Sequence, residues 1–246
     1  MKARTWIIGM GATLGIVAYG IWGCSEIGNY PDKLWLHRCN SIEKWEELDS
    51  VYDNIEVDLV YRGHGVFDVT HDADTTFGLH IDSYFKILGE KEEDEHMWLD
   101  IKNVTAKNVD KMHDDLDSLR EVYDIEKDQL IIESSNWKAL DDFTKDNYYT
   151  SFYVPFDKPH NLTEEEIDEC IDSLQYIVDT KTVRALSFPR WWYTEIKEHL
   201  HRPIDLLTWC HRTTQWEFFM RPRYNKMLDD PQLKVILIKS KGHYHR

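Results

Sequence analysis

LWLHRCN at 34–40, IEVDLV at 55–60, FDVTHD at 67–72 and WLDIKN at 98–103 are the stretches that decide how this 246-residue chain is read. Each is a short apolar run with reactive side chains at or near its end. Alternate residues of a strand leave the same face. Glu56 and Asp58 therefore project together, and Asp100 and Lys102 repeat that spacing on a later strand. His37 and His71 follow apolar runs. Together the stretches offer three acids for a metal, two histidines for proton transfer and two cations, Arg38 and Lys102, for a phosphate.

Outward from these stretches the chain alternates. Strand-like runs occur at 34–37, 55–60, 97–101, 129–133, 150–156, 183–188, 204–210 and 233–238, and helical patterns lie between them. Ser41 is placed to cap the helix that follows it, and Thr163 with Glu166 forms a capping box ahead of a stripe of Ile167, Ile171, Leu174 and Val178. A helix opening near Thr105 carries Val109, Met112, Leu116 and Leu119 on one side, and Pro222 shortens or breaks the last helical pattern. Eight such runs alternating with helices predict an α/β protein, a (β/α)8 TIM barrel in a single domain over 34–246. Several runs are apolar at nearly every position, as strands covered on both faces are.

The order of the motifs resembles the glycerophosphodiester phosphodiesterases and the related spider-type sphingomyelinases D, of the PLC-like phosphodiesterase TIM-barrel superfamily. The matching residues are His37-Arg38, Glu56-x-Asp58, His71-Asp72 and Asp100-x-Lys102, within 34–103. The resemblance implies a metal-dependent hydrolase of a glycerophosphodiester or a related lipid headgroup ester. It implies a divalent ion on Glu56, Asp58 and Asp100, with His37 and His71 as the general acid and base. Arg38 and Lys102 fall at the phosphate, with Asn40 and Trp209 as further substrate contacts. An all-oxygen donor set favours Mg²⁺ or Ca²⁺ over zinc. Lys102 either reaches the phosphate or pairs with Asp100; Asp72 orients His71; Glu133, ending the fourth run, either lines the pocket or stands apart from it. The chain departs from the phosphodiesterases at Cys39, where glycine is usual, and after LKVILIKSK, which lacks a Thr-Asp ending. Asn40 and Asp100 lean toward the sphingomyelinases D. The string from His37 to Ser41 is also similar to the start of the menorin-like proteins. That likeness keeps a second reading open, a non-catalytic, membrane-tethered barrel that binds a phosphorylated or acidic ligand.

The formal charge of −16 argues against a nucleic-acid partner, because an acidic surface repels phosphate backbones. The N-terminus differs in kind. Lys2 and Arg4 precede a run from Trp6 to Gly23 without a charge. The pattern predicts a signal peptide or membrane anchor over 1–24, a short tether over 25–33 and an extracytoplasmic barrel. Ile21-Trp22-Gly23-Cys24 resembles a lipoprotein cleavage box, although Trp22 is large for that position. Cys39, Cys170 and Cys210 follow no metal-binding spacing and read as free thiols.

Overall fold

The computed structural model describes residues 29–91, 95–220 and 224–240. Among them one nine-stranded sheet runs through β1 (Leu34–Leu36), β2 (Ile55–Gly63), β3 (Val66–Val69), β4 (Met97–Ile101), β5 (Leu130–Ser134), β6 (Tyr149–Tyr153), β7 (Ala185–Pro189), β8 (Asp205–Thr214) and β9 (Leu233–Lys239). All neighbours except the β2–β3 pair are parallel, and β1 pairs with both β9 and β2. The sheet therefore closes into an eight-stranded parallel barrel, with β3 folded back on the rim. This is the (β/α)8 architecture expected from the alternation.

The connecting helices are α1 (Ile42–Leu48), α2 (Ile81–Leu88), α3 (Val109–Val122), α4 (Asp141–Lys145), α5 (Glu164–Thr180), α6 (Tyr193–His199), α7 (Gln215–Phe219) and α8 (Asn225–Leu228). The predicted caps form. Ser41 accepts from the Lys44 backbone N–H at 3.2 Å, and Thr163 and Glu166 satisfy each other's backbone in a capping box. The helix expected near Thr105 begins at Val109 instead, because Thr105 closes a separate turn by donating to Asn108 Oδ1 from its backbone N–H at 2.7 Å. The last helical pattern holds two short helices, α7 and α8, and Pro222 between them lies outside the described residues.

Strand parity divides the core. Leu36, Ile55, Val57, Leu99, Ile132 and Ile236 belong to the cluster shared with the helices. The opposite parity forms a second cluster of Trp35, Trp98, Ile131, Ala185, Leu207, Val235 and Leu237, which fills the barrel. Glu56, Asp58, Asp100 and Glu133 share this inward parity. The register aligns Glu56 with Trp98, Asp58 with Asp100, and Asp100 with Glu133. An apolar plug thus fills the lower barrel, and acids stand above it toward the C-terminal ends of the strands.

Residues 29–33, the end of the expected tether, lie against the barrel: Lys33 Nζ donates to the carbonyls of Leu228 and Asp230, each at 2.7 Å. The anchor expected at 1–24 lies outside the described residues, and none of the described helices is long and apolar enough to cross a membrane.

Gly89 ends α2 with its N–H on the Phe85 carbonyl at 2.9 Å, and a Cβ there would collide with the Tyr123 backbone carbonyl just past α3. Gly89→Ala should therefore lower the unfolding free energy by about 1–3 kcal/mol, read as a reduced urea midpoint.

Candidate active site

A cavity of about 290 Å³ opens at the C-terminal end of the barrel, where sites in this architecture occur. Its lining includes His37, Arg38, Glu56, Asp58, His71, Asp100, Lys102 and Trp209. Residues that are distant in the sequence thus meet around one space. Asn40, the remaining candidate, sits behind the acids.

The acids are supplied by strand geometry. Glu56 and Asp58 leave β2 inward and Asp100 leaves the neighbouring β4, so one oxygen from each lies within 4.8 Å of the others. A buried, all-carboxylate oxygen set suits a hard divalent cation such as Mg²⁺ or Ca²⁺. The electrostatics differ from one acid to the next. Burial, then the charges of Asp58 and Asp100, pushes Glu56 up to about 8. Burial also raises Asp100, more than Lys102 beside it lowers it. Asp58 is opposite: burial would raise it, but the charges of Lys102 and Arg38 and hydrogen bonds from Lys102 and Asn40 bring it down to about 2.

Lys102 follows β4 and its ammonium donates to Asp58 Oδ1 at 2.6 Å and to Asp100 Oδ2. The Lys102–Asp100 pair left open by the sequence therefore forms, and Asp58 joins it. Asn40 was expected at the substrate. Both its polar side-chain atoms instead engage Asp58: Nδ2 donates to Oδ2 at 2.8 Å, and Oδ1 accepts from the Asp58 backbone N–H at 3.0 Å. Asn40 thus locks the β1–α1 loop to β2 and aims the carboxylate.

Arg38 adopts a left-handed backbone with φ of 51°, the region usually left to glycine. That turn lets its backbone N–H donate to Glu56 Oε2 at 2.6 Å, while its half-exposed guanidinium lies 3.6 Å from Asp58. Lys44, buried on α1, stabilises the turn by donating to the carbonyls of His37 and Arg38, each at 2.7 Å. Nothing in the sequence pattern separated Lys44 from an ordinary helix lysine.

The two histidines differ. His37 is largely but not fully buried, with Nε2 3.8 Å from Glu56 and Nδ1 without a hydrogen-bond partner. Burial, aided by Lys239 and Arg38, holds its pKa well below the usual histidine range. His71 is half-exposed on the loop after β3, and its Nδ1 lies 2.8 Å from Asp72 Oδ1, as expected of an orienting carboxylate. Arg62 steadies that loop by donating to Asp68 at 3.1 Å, to the Thr75 carbonyl at 2.7 Å and to the Ala73 carbonyl.

The far wall carries Glu133, Ser135, Tyr153 and Trp209. Tyr153 and Trp209 stack with ring centres 5.2 Å apart and planes 14° apart. Glu133 accepts from the Ser187 hydroxyl, and burial followed by the Asp100 charge raises its pKa well above the carboxylate range. Tyr153 and Lys239 were not singled out from sequence; both lie at strand ends on the inward parity, the signal that could have found them. Cys39 is fully buried, and burial pushes its thiol up to about 12, so it stays a protonated packing residue.

No family model matches this sequence, nor does any curated protein. Solved structures do match. A glycerophosphodiester phosphodiesterase from Parabacteroides distasonis has a TM-score of 0.57 at 14% identity, over 84% of this chain and 92% of that one. A Silicibacter pomeroyi protein assigned to the glycerophosphoryl diester phosphodiesterases gives 0.59 at 12%, over 84% and 89%. The calcium-dependent phosphoinositol-specific phospholipase C of a Pseudomonas species gives 0.50 at 9%, over 83% and 87%. The chain therefore shares the (β/α)8 fold of these structures.

Glu133 generates a pH prediction. A carboxyl raised on folding stabilises fully below its unfolded pKa, about 4.5, and progressively less as pH rises toward its folded value. Glu133→Gln keeps an acceptor for Ser187 and has no proton to lose. Its melting temperature relative to wild type should rise steadily as pH increases above about 4.5; a pH-independent difference would show that Glu133 is not held protonated.

Asn40→Ala should remove the donor to Asp58 Oδ2 and the acceptor of the Asp58 backbone N–H, and cost about 1–3 kcal/mol of stability, read by urea denaturation. Divalent-ion affinity measured by titration calorimetry should weaken in the same variant.

Proposed function

We propose that the protein is a metal-dependent phosphodiester hydrolase acting on a glycerophosphodiester or a related lipid headgroup ester. The observation that carries this reading is the convergence on one cavity of three buried carboxylates, two histidines and the cations Arg38 and Lys102. The named activities of the fold neighbours, phosphodiesterase and phosphoinositol-specific phospholipase C, support the same substrate class.

Glu56, Asp58 and Asp100 would hold the divalent cation, which polarises a non-bridging phosphoryl oxygen when bound. Arg38 neutralises phosphate charge from the cavity mouth, and Lys102 does so from β4. Burial favours the neutral form of His37, so it suits a general base that takes the proton of the attacking oxygen. His71, whose Nδ1 is held by Asp72, suits the acid that delivers a proton to the leaving oxygen from its other ring nitrogen. Asn40 and Lys44 keep the carboxylates and the His37-Arg38 turn in register while charge moves through the site. Trp209 and Tyr153 form the wall for the esterified alcohol. We propose export and membrane tethering as well, on the basis of the charge-free N-terminal run after Lys2 and Arg4.

The test is hydrolysis of bis(p-nitrophenyl) phosphate and glycerophosphocholine in EDTA, Mg²⁺ or Ca²⁺. Turnover should require the ion, and His37→Ala and His71→Ala should each lower kcat by about 10²–10⁴ with the fold intact. Near-normal hydrolysis by both variants would overturn the assignment. Ion and phosphate-ester binding without turnover of any diester would favour the non-catalytic binding barrel.

A further inference from the structure

Lys102 has two demands on one ammonium. As a phosphate ligand it must face the substrate. In the fold it donates to Asp58 Oδ1 at 2.6 Å and to Asp100, two of the three acids of the ion site. The other oxygen of Asp58 already accepts from Asn40 at 2.8 Å and faces Arg38 Nε at 3.6 Å. Lys102 is thus a monovalent cation belonging to the chain, seated on the oxygens that a divalent ion would need. Two cations cannot share those oxygens within a few ångströms in a buried site without strong repulsion.

The backbone around Lys102 is fixed, because its N–H donates to the Leu59 carbonyl at 2.9 Å. The side chain is a flexible four-carbon stem ending in a compact charge with three donors, so the ammonium can leave the acids while the strand stays in place. Arg38 is held differently: its backbone N–H is committed to Glu56 and its guanidinium faces Asp58.

We infer that Lys102 is an internal counter-ion that a divalent cation displaces from Asp58 and Asp100, and that the displaced ammonium becomes the phosphate ligand. This rests on the metal-dependent phosphodiesterase reading of the same site. The exchange makes ion and phosphate binding mutually reinforcing, since each favours the arrangement in which Lys102 has left the acids. Coupling of this kind is reciprocal and typically 5–150-fold.

The experiment titrates Ca²⁺ and Mg²⁺ calorimetrically into the EDTA-stripped, full-length chain, as wild type and as Lys102→Met. It also follows the lysine side-chain ammonium signals by ¹⁵N NMR, assigning Lys102 by its loss in the variant. The variant, freed of the competitor, should bind Ca²⁺ roughly 5–150-fold more tightly. The wild-type Lys102 signal should shift on Ca²⁺ saturation, and inorganic phosphate should bind more tightly to the Ca²⁺-loaded wild type than to the stripped protein. Equal or weaker Ca²⁺ affinity in the variant, or a Lys102 signal unmoved at saturation, would overturn the exchange while leaving the ion site standing. Failure of both proteins to bind either ion would instead overturn the metal-dependent reading. If Lys102→Met does not fold, Lys102→Gln takes its place in the comparison.

Discussion

Burying carboxylates inside a barrel is the constraint on which this molecule turns. Glu56, Asp58 and Glu133 are almost wholly inaccessible, and Asp100 is nearly so. An ionised carboxylate removed from water is costly unless it is paired, hydrogen-bonded or neutralised. The fold uses each remedy on a different residue. Asp58 is paired with Lys102 and bonded to Asn40, and stays ionised. Glu56 and Glu133 are pushed toward the protonated form. The result is a set of like groups in unlike states, a condition that active sites exploit.

Much of the surrounding structure serves that arrangement. The aromatic and aliphatic plug from Trp35 and Trp98 to Leu237 keeps water out from below, so the acids are reached from the C-terminal mouth. Arg38 bends into a left-handed turn that points a backbone N–H at Glu56, and Lys44 holds the two carbonyls that the turn exposes. Arg62 ties down the loop that brings His71 over the cavity. These supports come from cations, which also offset part of the local negative charge in a chain whose formal charge is −16.

Cys39 and Asn40 explain how the chain departs from the glycine-containing motif of the families it resembles. Cys39 is buried and unreactive beneath the loop. Asn40 turns both polar side-chain atoms to Asp58 and so pins the loop after the first strand to the second, adding one donor to those of Lys102 that keep Asp58 ionised. Lys102 is likewise drawn onto Asp58, which lies on the neighbouring strand of the barrel wall but 44 residues away in the sequence.

The barrel was legible in the sequence, because a strand covered on both faces must be apolar at nearly every position and because helices between such strands carry their own caps and stripes. The period of two alone put Glu56 beside Asp58 and Asp100 beside Lys102, and the order of the motifs gave the acids and histidines of the candidate site. Closure of the sheet decided the rest. The pairing of β2 with β4 and of β4 with β5 sets Asp58 against Asp100 and Asp100 against Glu133, and closure of β1 on β9 and β2 brings His37 to the same mouth. Which carboxylates are ionised, which cation sits on them, and that Asn40, Lys44 and Arg62 are supports are all outcomes of distance and burial. Those quantities arise from contacts between residues far apart in the chain, and no local pattern of residues encodes them.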